Sequence, residues 1–526
     1  MVIGTVLELY LIHHYESFPQ LIPIICIGII LILVVVLRFR KSLFLNRLFK
    51  GVLIITALSS FYARDLGKAR HQEDYIKPER VPQNFEHGVE GMNYMSSKDT
   101  YFYYKWHLYS AGHADLNMDH FSVRDDIIRN RDRNDNWVLG DSGGFQIGKG
   151  VWEGDWKDPN CPKAKKKREQ VLAFMDGNMD YGMILDIPAW VSRSPAGAAA
   201  SKISSYQEAV DGTKINNDYF MKNRNGNCKF LNVLQGENFQ QADDWYTQMK
   251  HYCDPKQFPS THFNGWAMGG QNMCDIHLAL KRLVALRFDG LLEKGVHDVM
   301  HFLGTSKLEW AVLLTDVQRA IRKYHNPNFM ITFDCASPFL ASANGQIYTD
   351  IEIEDKKKWT YRMQPSVDNK DFSTETKLFR DAVLEKGIFD NFMDSAISKR
   401  LMLKDITCYK PGDLNKMGNE GKTSWDSFSY TLQMAHNVWT HISAVQEANR
   451  KYDAGLNPKM LVEEKFDRIA FRDIVNAIFA TSSRDEANAV IEEFSRFWMS
   501  IIGTRGATGK KTVNASTQFS NLFEEV

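Results

Sequence analysis

Six short apolar runs constrain what this chain can fold into more than any other feature. They cover residues 137–139, 182–185, 230–234, 266–268, 296–303 and 329–333, and they lead into Asp141, Asp186, Gln235, Gly269, Gly304 and Asp334. Between them the spacing of apolar residues predicts helices over 164–179, 201–224, 238–252, 276–292 and 308–324. Short runs that are apolar on both faces read as buried parallel strands, and strand–helix alternation supplies the crossovers that a parallel sheet needs. A doubly wound sheet would satisfy the same alternation, but no GxGxxG turn follows a first strand. The pattern therefore predicts an α/β chain built on a (β/α)8 barrel. In that architecture the carboxyl ends of the strands form the functional face, and the polar and glycine residues gather there.

The chain has 526 residues, more than a barrel alone requires. Residues 21–37 (LIPIICIGIILILVVVL) carry no charge and reach the lower end of membrane-spanning length, about 17–25 residues. Arg38, Arg40, Lys41, Arg47 and Lys50 follow, which by the positive-inside rule would leave a cytoplasmic catalytic region tethered to a membrane. A second apolar piece, 51–61, is too short to span. The expected organisation is an N-terminal extension over 1–90, the barrel and its appendages over 91–450, and a helical C-terminal region with a basic tail over 451–526. Beyond Asp334 the pattern predicts a β-rich excursion over 345–363, a long helix over 430–452 and two helices within 466–502. The tail at 503–511 (GTRGATGKK) lacks P-loop spacing and has no strand before it. Seven scattered cysteines with no CxxC pair read as free thiols in a reducing compartment. Lys+Arg and Asp+Glu number 64 each, so any surface for a polyanion must be local.

The run Asp141-Ser142-Gly143-Gly144-Phe145-Gln146 combines what is needed to hold a flat polar ring: a carboxylate, glycines that admit backbone, an aromatic face and an amide. Asp141 and Asp334 both end strands, so both can enter one barrel mouth. Such a pair can divide labour, one carboxylate attacking a sugar carbon and the other moving a proton. The alternatives are ordinary ones. A strand-end aspartate often caps the next helix, Phe145 could be core, Gln235 a structural amide, and the glycines turn residues. The basic run Lys163, Lys165, Lys166, Lys167 and Arg168 reads as a solvated helix face or as a phosphate contact.

The hexapeptide at 141–146 resembles the signature of the tRNA-guanine transglycosylase family. Further pieces resemble that family in order: Leu185-Asp186-Ile187-Pro188, Leu234-Gln235-Gly236, Trp266-Ala267-Met268-Gly269-Gly270, Phe302-Leu303-Gly304, and Phe333-Asp334-Cys335 with Pro338 and Asn344-Gly345-Gln346. The likeness covers roughly residues 130–350. It implies a guanine transglycosylase in which Asp334 is the nucleophile at C1′ and Asp141 the general acid/base. It implies further that Ser142, Gly143, Phe145, Gln146, Asp186, Gln235, Gly269, Gly270 and Leu303 hold the base, with Phe145 and Leu303 on its two faces. The partners would be a polynucleotide and a free 7-deazaguanine of preQ0 type, and the target nucleotide must be turned out of its stack.

Two departures from the family pattern stand out. The family's structural zinc uses CxCxxC and a histidine, whereas here only Cys408 and His436 correspond, two of the four ligands zinc needs. A degenerate subdomain without zinc, and no cofactor, is therefore expected. The family's "PTRxGRNG" arginines, which meet anticodon-loop phosphates, are replaced by Ser337-Pro338-Phe339-Leu340-Ala341-Ser342-Ala343-Asn344-Gly345. This favours DNA over tRNA as the polymer. A non-catalytic nucleic-acid-binding relative is the alternative from another class. The sequence leaves the oligomeric state open.

Overall fold

The computed structural model describes residues 51–71, 78–116, 126–381, 383–384, 387–388, 392–407, 424–462, 470–503 and 506–507. The apolar segment 21–37, Cys408 and most of the basic tail lie outside them. Among the described residues no helix is long and apolar enough to cross a membrane.

Eight parallel strands close into a barrel in sequence order: β1 (Leu53–Ala57), β2 (Trp106–Ser110), β3 (Trp137–Asp141), β4 (Tyr181–Met183), β5 (Lys229–Leu234), β6 (Gly265–Met268), β7 (Val299–Phe302) and β8 (Met330–Cys335). The six apolar runs are β3 to β8. The first two strands are additional, and β1 moves the start of the barrel from residue 91 to Leu53. It pairs with β8 (Leu53 opposite Thr332, Ile55 opposite Asp334) and with β2 (Thr56 opposite His107). Without it, β8 and β2 would each present an unpaired edge. A five-residue strand is easily taken for a continuation of the more strongly apolar segment upstream.

The helices alternate with the strands as expected, with shifted ends. They are α1 (Ser60–His71), α2 (Gly144–Gly148), α3 (Pro162–Asn178), α4 (Pro195–Ser201), α5 (Tyr206–Asn223), α6 (Phe239–Met249), α7 (Ile276–Phe288) and α8 (Leu308–Tyr324). The stretch 201–224 is not one helix. Ser205 caps α5 by accepting from the Glu208 N–H, and it separates α5 from α4. After β8 come α9 (Ser337–Ala343), the antiparallel hairpin β9 (Gln346–Glu352) and β10 (Thr360–Pro365), and the long helix α10 (Ser427–Asp453). Three helices, not two, follow: α11 (Phe471–Ala480), α12 (Arg484–Glu493) and α13 (Ser495–Ser500). They join the barrel's helical coat. Arg287 on α7 donates to the Phe479 and Thr481 carbonyls at 2.9 Å each, and Arg472 on α11 meets Asp316 on α8 at 3.0 Å. From Gly51 onward the chain is one compact unit.

Strand register decides which side chains enter the barrel. Ser110 lies opposite Asp141, Leu139 opposite Tyr181, and Tyr181 opposite Lys229. Val233 lies opposite Ala267, Ala267 opposite His301, and His301 opposite Thr332. Side chains alternate along a strand, so Asp141, Gln235, Gly269, Leu303 and Asp334 share one face at the carboxyl end. At the amino end of the same face Trp106, Trp137 and Tyr181 pack ring to ring, with centroids 5.5 and 5.4 Å apart. That apolar floor leaves the carboxyl end for chemistry.

Candidate active site

Neither aspartate caps a helix. The residue before α2 is Gly143 and the one before α9 is Ala336, and neither helix start has a side-chain cap. The carboxylates are engaged elsewhere. Asp141 Oδ2 accepts from Ser110 Oγ at 2.5 Å, across the β2–β3 register. Asp334 Oδ1 accepts from the Gly304 N–H at 2.9 Å and meets His301 Nε2 at 3.1 Å. Both hydrogen bonds that the Asp334 carboxylate makes among the described residues fall on Oδ1, and Oδ2 makes none there. Burial raises the Asp141 carboxyl above the usual range, against the pull of the Ser110 hydrogen bond, and the nearby charge of Asp334 raises it further. The charge of Asp334, nearly two hundred residues away in the chain, therefore reaches Asp141.

A third carboxyl completes the group. Asp186 is buried just past β4, and Gln235 Nε2 donates to its Oδ2 at 2.7 Å. Burial pushes Asp186 up to about 7; the Gln235 hydrogen bond opposes this and the charge of Asp141 adds to it. The backbone around Asp186 is tied to α5: the Ile187 N–H donates to Thr213 Oγ1 at 2.9 Å and Asn216 Nδ2 donates to the Leu185 carbonyl at 2.6 Å. Asn216 in turn accepts from Arg168 Nε at 2.6 Å. Arg168, the last residue of the basic run, is thus a buried support for the Asp186 turn. Lys163, Lys165 and Lys166 remain exposed at the start of α3.

The loop after β3 meets that turn closely. A Cβ on Gly144 would lie 2.4 Å from the Asp186 carbonyl oxygen, so only glycine fits there. Gly143 is buried beside it, and its backbone N–H helps to hold the Asp141 carboxylate. Ser142 Oγ and Gln146 Oε1 are buried without a hydrogen-bond partner among the described residues. Buried polar atoms are rarely left unmet, and these two flank Asp141. Phe145 is half-buried, its ring 5.7 Å from Trp190 and 5.6 Å from Lys149 Nζ. Leu303, also half-buried, donates its N–H to the Met268 carbonyl and so places the end of β7 beside Gly269. Gly269 continues β6, its N–H on the Leu234 carbonyl at 2.8 Å. Gly270 adopts φ 54, where a Cβ would also strike the Gly236 carbonyl at 2.3 Å. Gln235 lies against both glycines.

His436 is buried in α10 with both ring nitrogens engaged, Nδ1 with Ser395 Oγ at 2.9 Å and Nε2 with the Tyr348 carbonyl at 2.8 Å. Its ring stacks on Phe392, and burial lowers its pKa to about 4. It ties the β9 strand to α10, and a metal would have to displace those bonds. Cys408 lies outside the described residues, and among those described no three His, Cys, Asp or Glu side chains form a metal-binding group. Of the two residues that could correspond to zinc ligands, His436 has both ring nitrogens taken.

Two residues in the site had gone unremarked in the sequence. Ser110 ends β2 (WHLYS), a strand whose mixed composition gives no apolar signal. His301 sits two residues before Leu303 and therefore on the same face of β7, a parity signal legible once β7 is taken as a strand. No protein-family model matches the chain, and no curated protein matches it.

Proposed function

We propose that this chain is a guanine transglycosylase that exchanges guanine in a polynucleotide for a 7-deazaguanine base through a covalent glycosyl-aspartate. The observation that carries this is the convergence of Asp141 and Asp334 at one end of the barrel, each held by its own partners, with the charge of Asp334 felt at Asp141. In the first displacement Asp334 Oδ2 attacks C1′ of the target nucleoside. The C1′–N9 bond breaks, and guanine leaves with a proton supplied by Asp141, whose raised pKa suits an acid. In the second, the incoming base gives its ring proton to the Asp141 carboxylate. Its nitrogen bonds to C1′, and the C1′–Oδ2 bond breaks. Two displacements retain configuration.

The base would lie between Phe145 and Leu303. Asp186 and Gln235 would read its edge, together with the backbone at Gly269 and Gly270, and the unmet Ser142 and Gln146 atoms would add polar contacts. DNA is the favoured polymer and tRNA the alternative. The segment after the nucleophile carries no cation, and α9 turns inward: Phe339, Ala341 and Ser342 are buried, and Asn437 on α10 donates to Ser342 Oγ at 2.9 Å. The grip that the resemblance assigns to arginines there must come from another surface.

The test is release of label from guanine-prelabelled DNA and tRNA on addition of a 7-deazaguanine, with mass spectrometry of the product nucleosides. Exchange into a deoxynucleoside supports the reading in full. Exchange into a ribonucleoside alone moves the polymer to tRNA, and release equal in wild type and Asp334→Asn sinks the nucleophile assignment.

A further inference from the structure

We infer that His301, backed by Thr332, is a positioning residue for the nucleophile: it holds Asp334 Oδ1 from beneath, so that Oδ2 alone is presented to the sugar. This rests on the base-exchange reading above. His301 and Thr332 lie side by side in the β7–β8 register, inside the barrel and wholly buried. Barrel interiors are ordinarily filled by branched apolar side chains, and a polar ring placed there is unfavourable unless its hydrogen bonds are made. Both are made. Nδ1 meets Thr332 Oγ1 at 2.9 Å and Nε2 meets Asp334 Oδ1 at 3.1 Å.

The other wholly buried histidines among the described residues serve different ends. His107, His297 and His436 each direct Nε2 at a backbone carbonyl, and His441 directs it at the Cys335 thiol. Of this set, His301 is the one whose ring meets a carboxylate.

The partners favour one tautomer. A threonine hydroxyl has one proton, and the Thr332 hydroxyl is closer to His301 Nδ1 than to its other acceptor, the Met300 carbonyl at 3.5 Å. With Nδ1 accepting, the ring carries its proton on Nε2 and donates it to Asp334. Oδ1 then receives two donors, the imidazole N–H and the Gly304 N–H, and the Oδ2 lone pairs stay available. When Oδ2 bonds to C1′, Oδ1 becomes the ester carbonyl oxygen and keeps both donors. When the C1′–Oδ2 bond breaks in the second displacement, the same donors stabilise the returning carboxylate charge. No proton passes to or from His301 in either step.

The experiment compares full-length wild type, His301→Leu, His301→Gln and Thr332→Val in the guanine-release assay. It records kcat, KM for the free base, the amount of protein–nucleic acid adduct and the melting temperature. His301→Leu is expected to lower kcat about 10- to 100-fold, the range of one hydrogen bond to a charged group, with KM for the base within about twofold of wild type. His301→Gln, whose amide N–H can reach the same oxygen, should recover most of the rate. Thr332→Val should give a smaller loss of kcat at an unchanged KM, and it decides the matter if His301→Leu does not fold. Wild-type kcat in His301→Leu, or in Thr332→Val if His301→Leu does not fold, would overturn the inference, as would a glutamine variant as slow as the leucine variant in a folded protein. A wild type that releases no guanine would instead overturn the base-exchange reading.

Discussion

On the β7–β8 side of the barrel mouth, a carboxylate stands on a buried histidine and a backbone N–H. On the β3–β5 side, a half-buried Asp141 and a buried Asp186 have a serine and a glutamine as their partners. Asp334 has both of its partners, the His301 ring and the Gly304 N–H, on one oxygen. Asp141 and Asp186 are both raised by burial and by charge between carboxyls, the arrangement of groups that carry or exchange protons. In the proposed base exchange, the first rim would supply the attack at a sugar carbon, and the second the proton transfer and the recognition of a base edge. The division follows from environment, since all three residues are aspartates.

The largest expected break in that comparison is Asp334→Asn, which should abolish the covalent adduct while Asp141 and the base pocket stay in place. A denaturing gel of protein mixed with labelled polynucleotide checks this, and a surviving adduct would reassign the nucleophile. Asp141→Asn should slow exchange by about 10²–10⁴-fold, the usual contribution of a positioned acid or base, measured as guanine release under single-turnover conditions. Ile55→Ala probes the support of the attacking rim. Ile55 is fully buried in β1 opposite Asp334, and its truncation should remove about 2–5 kcal/mol of stability in urea unfolding.

The recognition rim should reveal itself through pH. The Asp186 carboxyl, raised from 3.8 to about 7, keeps its proton in the native state across that window while the unfolded chain has lost it. Its contribution to stability is fully present below about pH 4 and is lost as pH rises through about 7. Asp186→Asn should therefore gain stability relative to wild type between pH 5 and 7.5, on the order of 2–4 kcal/mol. Urea unfolding of both proteins at the two pH values measures this, and an unchanged difference would show that Asp186 ionises as an exposed carboxyl does. The smallest effect is expected from Phe145→Leu, which keeps an apolar contact and loses an aromatic face. KM for the free base should rise several-fold, in line with about 0.5–1.5 kcal/mol for aromatic stacking, with kcat little changed.

The barrel was legible because β3 to β8 are apolar on both faces and end at polar residues. β1 was hidden by its apolar neighbour upstream, and β2 (WHLYS) by its mixed composition. Within the site, Asp141, Asp334 and Asp186 were readable as strand-end carboxyls. Ser110 and His301 were not, since a serine or histidine inside a short strand has no signature until register is known. Arg168 shows the converse. Its neighbours made it look like part of a solvated face, yet Asn216 on α5 draws it inward.

The sequence by itself determined the strand–helix alternation, the face on which chemistry gathers and the pair of aspartates at its centre, because apolar periodicity and strand-end composition are local properties. Only the tertiary structure decided that β1 closes the barrel against β8. It alone decided that Asp334 stands on His301 while Asp141 accepts from Ser110 near the buried Asp186, and that His436 spends both nitrogens on Ser395 and Tyr348. Those outcomes depend on which strands become neighbours and how much water is excluded between them, and neither is written in any one segment.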